Sequence, residues 1–234
     1  MMSVRTALKL GRVSNLPTVW TNVLAGMILG GAEPSAGVAL SVGVAASLLY
    51  VAGMFLNDAF DRRWDAEHRA ERPIPMREVA ARTVFRAGFG LMAAGLVVLL
   101  VGPGGSRAFV PGLALAALII LYDVSHKKNP AAPIVMGLCR VAVYVMAARA
   151  AAPTIAPTLY GGAAFLLMYL VLLTSIARNE AKDPKTLRLV GRLIAGICLV
   201  DGLQVLALGA SGLAGACAVG FVLTLRLQRR FSGI

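Results

Sequence analysis

Apolar runs of roughly 17–25 residues, the length that carries a helix across about 30 Å of hydrocarbon, recur along this chain with only short polar breaks between them. They fall near residues 14–32, 36–58, 83–103, 107–123, 130–152, 157–177, 189–209 and 211–227. The pattern predicts an all-α polytopic membrane protein with about eight transmembrane helices. Composition agrees: 58% of the 234 residues are hydrophobic, 15% are charged and mean hydropathy is +0.77, far from a soluble domain. Arg5, Lys9 and Arg12 precede a first run long enough to stay in the membrane, so no cleavable signal is expected. Cys139, Cys198 and Cys217 all lie inside runs and read as small buried apolar residues, not as a disulfide framework.

The net charge of +12 raises the question of nucleic acid, and its distribution answers it. If the runs alternate in direction, one side collects Arg5, Lys9 and Arg12, the arginines from Arg62 to Arg86, Lys127 and Lys128, the basic residues from Arg178 to Arg192, and Arg226, Arg229 and Arg230. Only Arg107 and Arg149 fall near the other surface, and Arg140 lies at depth. This is the positive-inside pattern, with both termini and the long loops cytoplasmic. Orientation accounts for the charge, and no nucleic-acid partner is expected.

The stretch "NDAFDRRWDAEHRAERPIP", Asn57 to Pro75, closes the second run with three aspartates. At 100° per residue Asp58, Asp61 and Asp65 fall within an arc of about 60°, which Asn57 widens to about 100°. Carboxylates so close repel unless a cation joins them, and oxygen ligands with a carboxamide suit Mg²⁺ completed by water and phosphate. A solvated, charge-rich helix end beside Arg62, Arg63 and Arg69 is the other reading. After the sixth run, "TSIARNEAKDPK" puts Asn179 and Asp183 one turn apart with Glu180 on the same face. That suits a second cation, or a plain polar helix end before Pro184. Between the two, "LYDVSHKKNP" brings Tyr122, His126, Lys127 and Lys128 to the same surface, where lysines set orientation or grip phosphate; His126 alone does not suggest a metal ligand. Arg140, roughly 16 Å past Asn129 along a helix, and Asp201 with Gln204 sit at depth, where a charge needs a partner or a polar cavity. They form a structural pair or line a cavity, and a small transporter using them as an intramembrane relay is a rival reading. No clear inverted repeat supports that rival, and the aspartates lie at the surface, not at mid-bilayer.

"NDAFDRRWD" followed by "RP" resembles the first aspartate-rich motif of the UbiA-type intramembrane prenyltransferases, at the end of the second span where that family carries it. "RVSNLPTVWTNVLAG" at the first span, the tyrosine-plus-basic motif and the acidic patch after the sixth span extend the resemblance over most of the chain. It implies one transmembrane domain over 1–234, a ring of helices around a central cavity, and Mg²⁺ ions carrying an isoprenyl diphosphate. Asp58, Asp61 and Asp65 would then hold Mg²⁺ with Asn57, Asn179 and Asp183. Asn15, Arg72, Lys127, Lys128 and Arg140 would bind the diphosphate, Asp58, Asp61, Tyr122 and Lys127 acting in its ionisation, and the ring of Tyr122 or Tyr144 would face the carbocation. The implied partners are an isoprenyl diphosphate, a lipophilic acceptor of unspecified kind and membrane lipids. Terpene cyclisation, or binding of polyprenyl lipid without catalysis, are the alternatives within the resemblance. Three departures stand out: Asn179 replaces an aspartate of the second motif, His126 takes a lysine place with Lys127 beside it, and members usually cross nine times.

Overall fold

In a computed structural model of the chain the described residues are 2–127, 129–179 and 184–231, without the side chains of 178, 179, 184 and 185. Every regular element among them is helical: α1 (Val4–Leu10), a 3-10 turn (Val13–Asn15), α2 (Leu16–Leu29), α3 (Ala36–Phe60), α4 (Arg62–His68), α5 (Ala81–Val101), α6 (Gly105–Ser125), α7 (Ala132–Ala151), α8 (Thr158–Asn179), α9 (Pro184–Ala207) and α10 (Ser211–Arg230). Seven of these, α3 and α5 to α10, are long and apolar enough to cross a membrane, and the chain is an integral membrane protein.

The first expected run, 14–32, is the exception in length. It forms α2, whose 14 residues reach about 21 Å, short of a full bilayer core. Gly30 and Gly31, the latter at φ +82°, end it. The freed carbonyls are then taken up from the start of α8 and the loop before it, Thr158 Oγ1 donating to Leu29 O at 2.6 Å and Ala156 N to Gly30 O at 3.1 Å. Because α2 is largely buried by other helices, it has little need to match lipid thickness.

Taken in the order α2, α3, α5, α6, α7, α8, α9, α10, each helix packs on the next, and α10 returns to α2. The expected ring of eight is therefore made of seven long helices and one short one. Across it, α2 also packs on α7 and α9. One core joins α2, α3, α5, α6 and α7 through Val23, Leu49, Leu56, Leu99, Leu115 and Met146. A second joins α2, α7, α8 and α9 through Leu29, Tyr144, Leu166 and Ile197. The shared contact between α2 and α7 depends on Gly26 and Gly30. A Cβ at Gly26 would stand 2.7 Å from Tyr144 Cα, and one at Gly30 2.5 Å from Ala148 Cβ. This is the small-x-x-x-small spacing that lets helix backbones approach in membranes.

Polar residues at depth follow the same junction. Arg140 and Asp201 do not pair directly; Asn22 stands between them, accepting from Arg140 Nη1 at 2.8 Å and donating to both Asp201 oxygens at 3.0 and 2.9 Å. Arg140 Nη2 donates to Thr18 Oγ1, Tyr144 Oη donates to Asp201 at 2.6 Å, and Gln204 Nε2 donates to Tyr144 Oη. Apart from Gln204 Oε1, these groups are matched inside the protein, as a lipid surrounding demands.

Candidate active site

Contacts between distant segments fix which residues share an end of the ring. Arg12, Asp58 to Arg72 and His126–Lys127 meet one another, and Gln228 reaches Asn15 Oδ1 and Gly191 O. These are the basic segments that the sequence placed together. The opposite end gathers Gly30, Ala156, Gly104 and Ala150.

At the basic end α3 gives way to α4 without losing helical register. Asp61 N donates to Asn57 O and Asp65 N to Asp61 O, both at 2.9 Å, so the three aspartates stay one turn apart on one face. All three are buried, Asp65 to 1% exposure. Their cations come from elsewhere in the chain. Arg72, from the segment after α4, donates through a single Nη1 to Asp58 Oδ1 at 2.6 Å and Asp65 Oδ2 at 3.3 Å. Arg12 Nη2 lies 3.7 Å from Asp58 Oδ1. It is carried there by a left-handed backbone, φ +43°, that only non-local packing sustains in a non-glycine residue.

Asp61 turns to the segment after α6. Lys127 Nζ is 2.8 Å from its Oδ1 and His126 Nε2 3.3 Å from its Oδ2. The His126 Nδ1 lies 3.1 Å from Tyr122 O, and a carbonyl only accepts, so that nitrogen carries hydrogen. With a carboxylate on the other side, the surroundings favour the doubly protonated ring. Burial opposes that charge, but the bond to Asp61 and its negative charge outweigh it and raise His126 above 6.5. For Asp61, burial pushes upward and the bonds from His126 and Lys127 prevail, so it ends below 3.8. Asp65 goes the other way: burial raises it, with Arg72 opposing.

Asp123 is a fourth buried carboxylate, on α6. Asn57 Nδ2 donates to its Oδ1 at 3.2 Å. The Trp64 ring packs under Lys127 Nζ at 4.3 Å and Arg69 at 5.2 Å, and Tyr122 stacks on His126 at 4.9 Å. Phe60, Asp61, Trp64, Asp123, His126 and Lys127 are among the residues lining a cavity of about 730 Å³ that opens here.

Two oxygens test whether these residues suit a divalent cation: Asp65 Oδ1 and Asp123 Oδ2 are buried without a partner. A buried anionic oxygen is costly unless something meets it. By chemical type, four carboxylates and one carboxamide oxygen are hard donors of the kind that Mg²⁺ takes. Among the described residues no three acidic, histidine or cysteine side chains already form a cage; Arg12, Arg72, His126 and Lys127 stand between them instead.

The structure thus brings together Asn57, Asp58, Asp61, Asp65, Arg72, Tyr122 and Lys127. Asn15 bonds instead to Tyr50 Oη at 3.4 Å and to Gln228, and Tyr50 in turn lies under Arg140 at 5.5 Å. Arg140 and Tyr144 belong to the polar junction at depth. Lys128, Asp183 and the side chain of Asn179 fall outside the described residues. Sequence reasoning missed Arg12, read there as an orientation charge, and Asp123, which sits beside Tyr122 in a motif examined for its basic residues.

A model of the UbiA prenyltransferase family matches residues 18–232. A digeranylgeranylglyceryl phosphate synthase from Methanopyrus kandleri is 29% identical over 186 residues, covering 77% of this chain and 63% of the relative. One from Sulfolobus acidocaldarius is 28% identical over 125 residues, covering 53% and 44%. The chain thus spans less than two thirds of the length of these curated relatives. Among solved structures, a UbiA homolog from Archaeoglobus fulgidus bound to DMAPP and Mg²⁺ superposes with TM-score 0.66 at 12% identity, over 95% of this chain and 98% of that one. A structure of digeranylgeranylglyceryl phosphate synthase superposes with TM-score 0.62 at 17% identity, over 96% and 95%. These likenesses show a shared fold.

Proposed function

The chain belongs to the UbiA prenyltransferase family, and from that premise we propose that it moves an isoprenyl group from an isoprenyl diphosphate to a lipophilic acceptor in the membrane, with Mg²⁺. The observation that carries this reading is the charge-matched cluster of Asp58, Asp61, Asp65 and Asp123 with Arg12, Arg72, His126 and Lys127 at the mouth of an apolar bundle. Such a cluster is poised for exchange: cations that now neutralise aspartates can turn to a diphosphate once a metal takes the carboxylates.

Asn57, Asp58, Asp61 and Asp65 would hold the metal, with Asn179 and Asp183 completing the set from the other motif. Bound Mg²⁺ supplies positive charge to the leaving diphosphate. Arg72 and Lys127, with Lys128 of the same motif, would add fixed positive charge where the leaving oxygens become more negative, and Arg12 and His126 stand beside Arg72 and Lys127 on the aspartates. The rings of Trp64, on the cavity wall under Lys127, and of Tyr122, stacked on His126, would suit an allylic cation once those basic groups turn to the diphosphate. In the transfer the allylic C–O bond breaks with its electron pair on the diphosphate. The acceptor's nucleophilic atom bonds to the allyl carbon, and its proton passes to the released diphosphate. We further propose that this end faces the cytoplasm, on the positive-inside pattern. The names of the two relatives suggest a glyceryl phosphate lipid as the acceptor to try first.

The test is pyrophosphate release from geranyl, farnesyl and geranylgeranyl diphosphates by purified protein, with and without Mg²⁺ and lipid acceptors. Wild type should require both, and Asp61→Asn should lose about 10²-fold or more. Release independent of acceptor would point to cyclisation. Full turnover by Asp61→Asn would overturn the assignment.

A further inference from the structure

On the same end of the ring, but on the lipid-facing surface of α5, Arg62, Ala81, Arg82, Phe85, Arg86 and Phe89 line an open groove of about 590 Å³. Arg82 and Arg86 stand one turn apart and are both exposed, and Phe85 and Phe89 repeat that spacing. Among the described residues neither arginine has an ion-pair or hydrogen-bond partner. Arg62 spends one nitrogen on Ala59 O at 2.9 Å and lies over the Phe85 ring at 5.6 Å, which leaves its other N–H groups free. None of the three pairs with Asp58, Asp61, Asp65 or Asp123.

Two features make the arrangement unfavourable by itself. Helix α5 begins at Ala81 with no side-chain cap and no acidic residue in its first turn. Its unpaired N–H groups and dipole therefore add positive potential where two arginines already stand, whereas cations are favoured at the other end of a helix. Arg86 also lies five residues into a membrane-crossing helix, about 7.5 Å along its axis. It is flanked by Phe85 and Phe89, so its guanidinium reaches back to the headgroup level beside Arg82, where two like charges repel unless an anion joins them. Orientation explains why positive residues lie on this side. It does not explain why three of them converge on one phenylalanine-lined groove at a helix N-terminus.

We propose that this groove binds an anionic phospholipid of the adjacent leaflet, its phosphate among Arg62, Arg82 and Arg86 and an acyl chain along Phe85 and Phe89. Guanidinium forks suit phosphate oxygens, and basic pockets at a helix bundle's charged rim are the usual seat of anionic headgroups. The site stands independently of the transferase reading.

Thermal unfolding of the purified full chain in neutral detergent tests it, with added phosphatidylglycerol, phosphatidylcholine or inorganic phosphate. Phosphatidylglycerol should raise the wild-type midpoint by about 5 °C at saturation, while the other two additions leave it nearly unmoved. Arg82→Gln/Arg86→Gln should lose at least half of that rise, and Arg82→Gln alone, at an exposed position, should lose part of it. Arg229→Gln/Arg230→Gln removes the same charge elsewhere and should keep the full rise. An equal rise with phosphatidylcholine, an equal rise in the Arg82/Arg86 variant, or an equal loss in the Arg229/Arg230 variant would overturn the proposal. A rise with inorganic phosphate alone would reassign the groove to a free anion.

Discussion

Arg72 Nη1 is shared by Asp58 and Asp65, and that one contact gives its removal two opposite effects. Arg72→Gln strips a cation that competes with metal, so Mg²⁺ should bind more tightly to the free protein; it also strips a diphosphate partner, so substrate should bind more weakly. Without Mg²⁺ the variant should lose about 3–5 kcal/mol of stability, the usual result of leaving a buried charge unmatched, and Mg²⁺ should restore part of it. Thermal unfolding with and without Mg²⁺ checks both signs. His126 carries a pH prediction for the metal-free protein. Its raised value means that its contribution is full below pH 6.5 and fades as pH rises through the folded value. Asp61, lowered, contributes above 3.8 and loses its share as pH falls through its own folded value. The pair therefore holds between those two folded values; wild type should lose unfolding temperature as pH rises from 6.5 through the folded His126 value, and His126→Leu should flatten that fall. A fall of equal steepness in the variant would remove His126 from that role. At this scale the three aspartates were legible because helical spacing alone puts them on one face. Arg72, 14 positions from Asp58 and 7 from Asp65, was reached through the family resemblance, whereas Arg12 and Asp123 meet the cluster across the fold, Asp123 joining Asn57 over 66 positions, and no local pattern encodes such a meeting.

Helix α2 shows where reading by runs succeeds and where it falters. Apolar residues continue through 14–32 and mark an element correctly, but hydropathy cannot see that Gly30 and Gly31 stop the helix and that its end carbonyls are taken up by Thr158 and Ala156. The glycine spacing Gly26-x-x-x-Gly30 was the available sign that α2 lies against another backbone. Gly26→Leu should force α2 from α7 at Tyr144 and cost about 1–3 kcal/mol or more by overpacking. Gly37, with nothing within 4 Å of its would-be Cβ, is the control: Gly37→Ala should be neutral or slightly stabilising. Thermal unfolding of the two variants side by side checks the difference. The pairing of Arg140 and Asp201 was half legible in the same way. Their depth called for partners, but Asn22 as the link between them comes from α2, over a hundred positions from either residue.

For the whole molecule, the distribution of basic residues told which loops share a side, because each crossing reverses the chain and insertion sorts charge. The contacts among Arg12, Asp58, Arg72, Lys127 and Gln228 agree with that sorting. Cysteine placed at Glu67 should resist an impermeant thiol reagent in intact cells while cysteine at Arg107 reacts; the reverse pattern would invert the proposed orientation. The central claim is that the aspartate cluster and its cations form a metal-dependent diphosphate site, and it does not require knowing the acceptor. Titration of purified protein with a non-hydrolysable geranylgeranyl thiodiphosphate, across a Mg²⁺ series, measures it most directly. Wild type should bind only with Mg²⁺, and Asp61→Asn should need about tenfold or more Mg²⁺ for the same occupancy, since affinity follows ligand charge. Binding that ignores Mg²⁺, or superimposable curves for wild type and Asp61→Asn, would contradict the account.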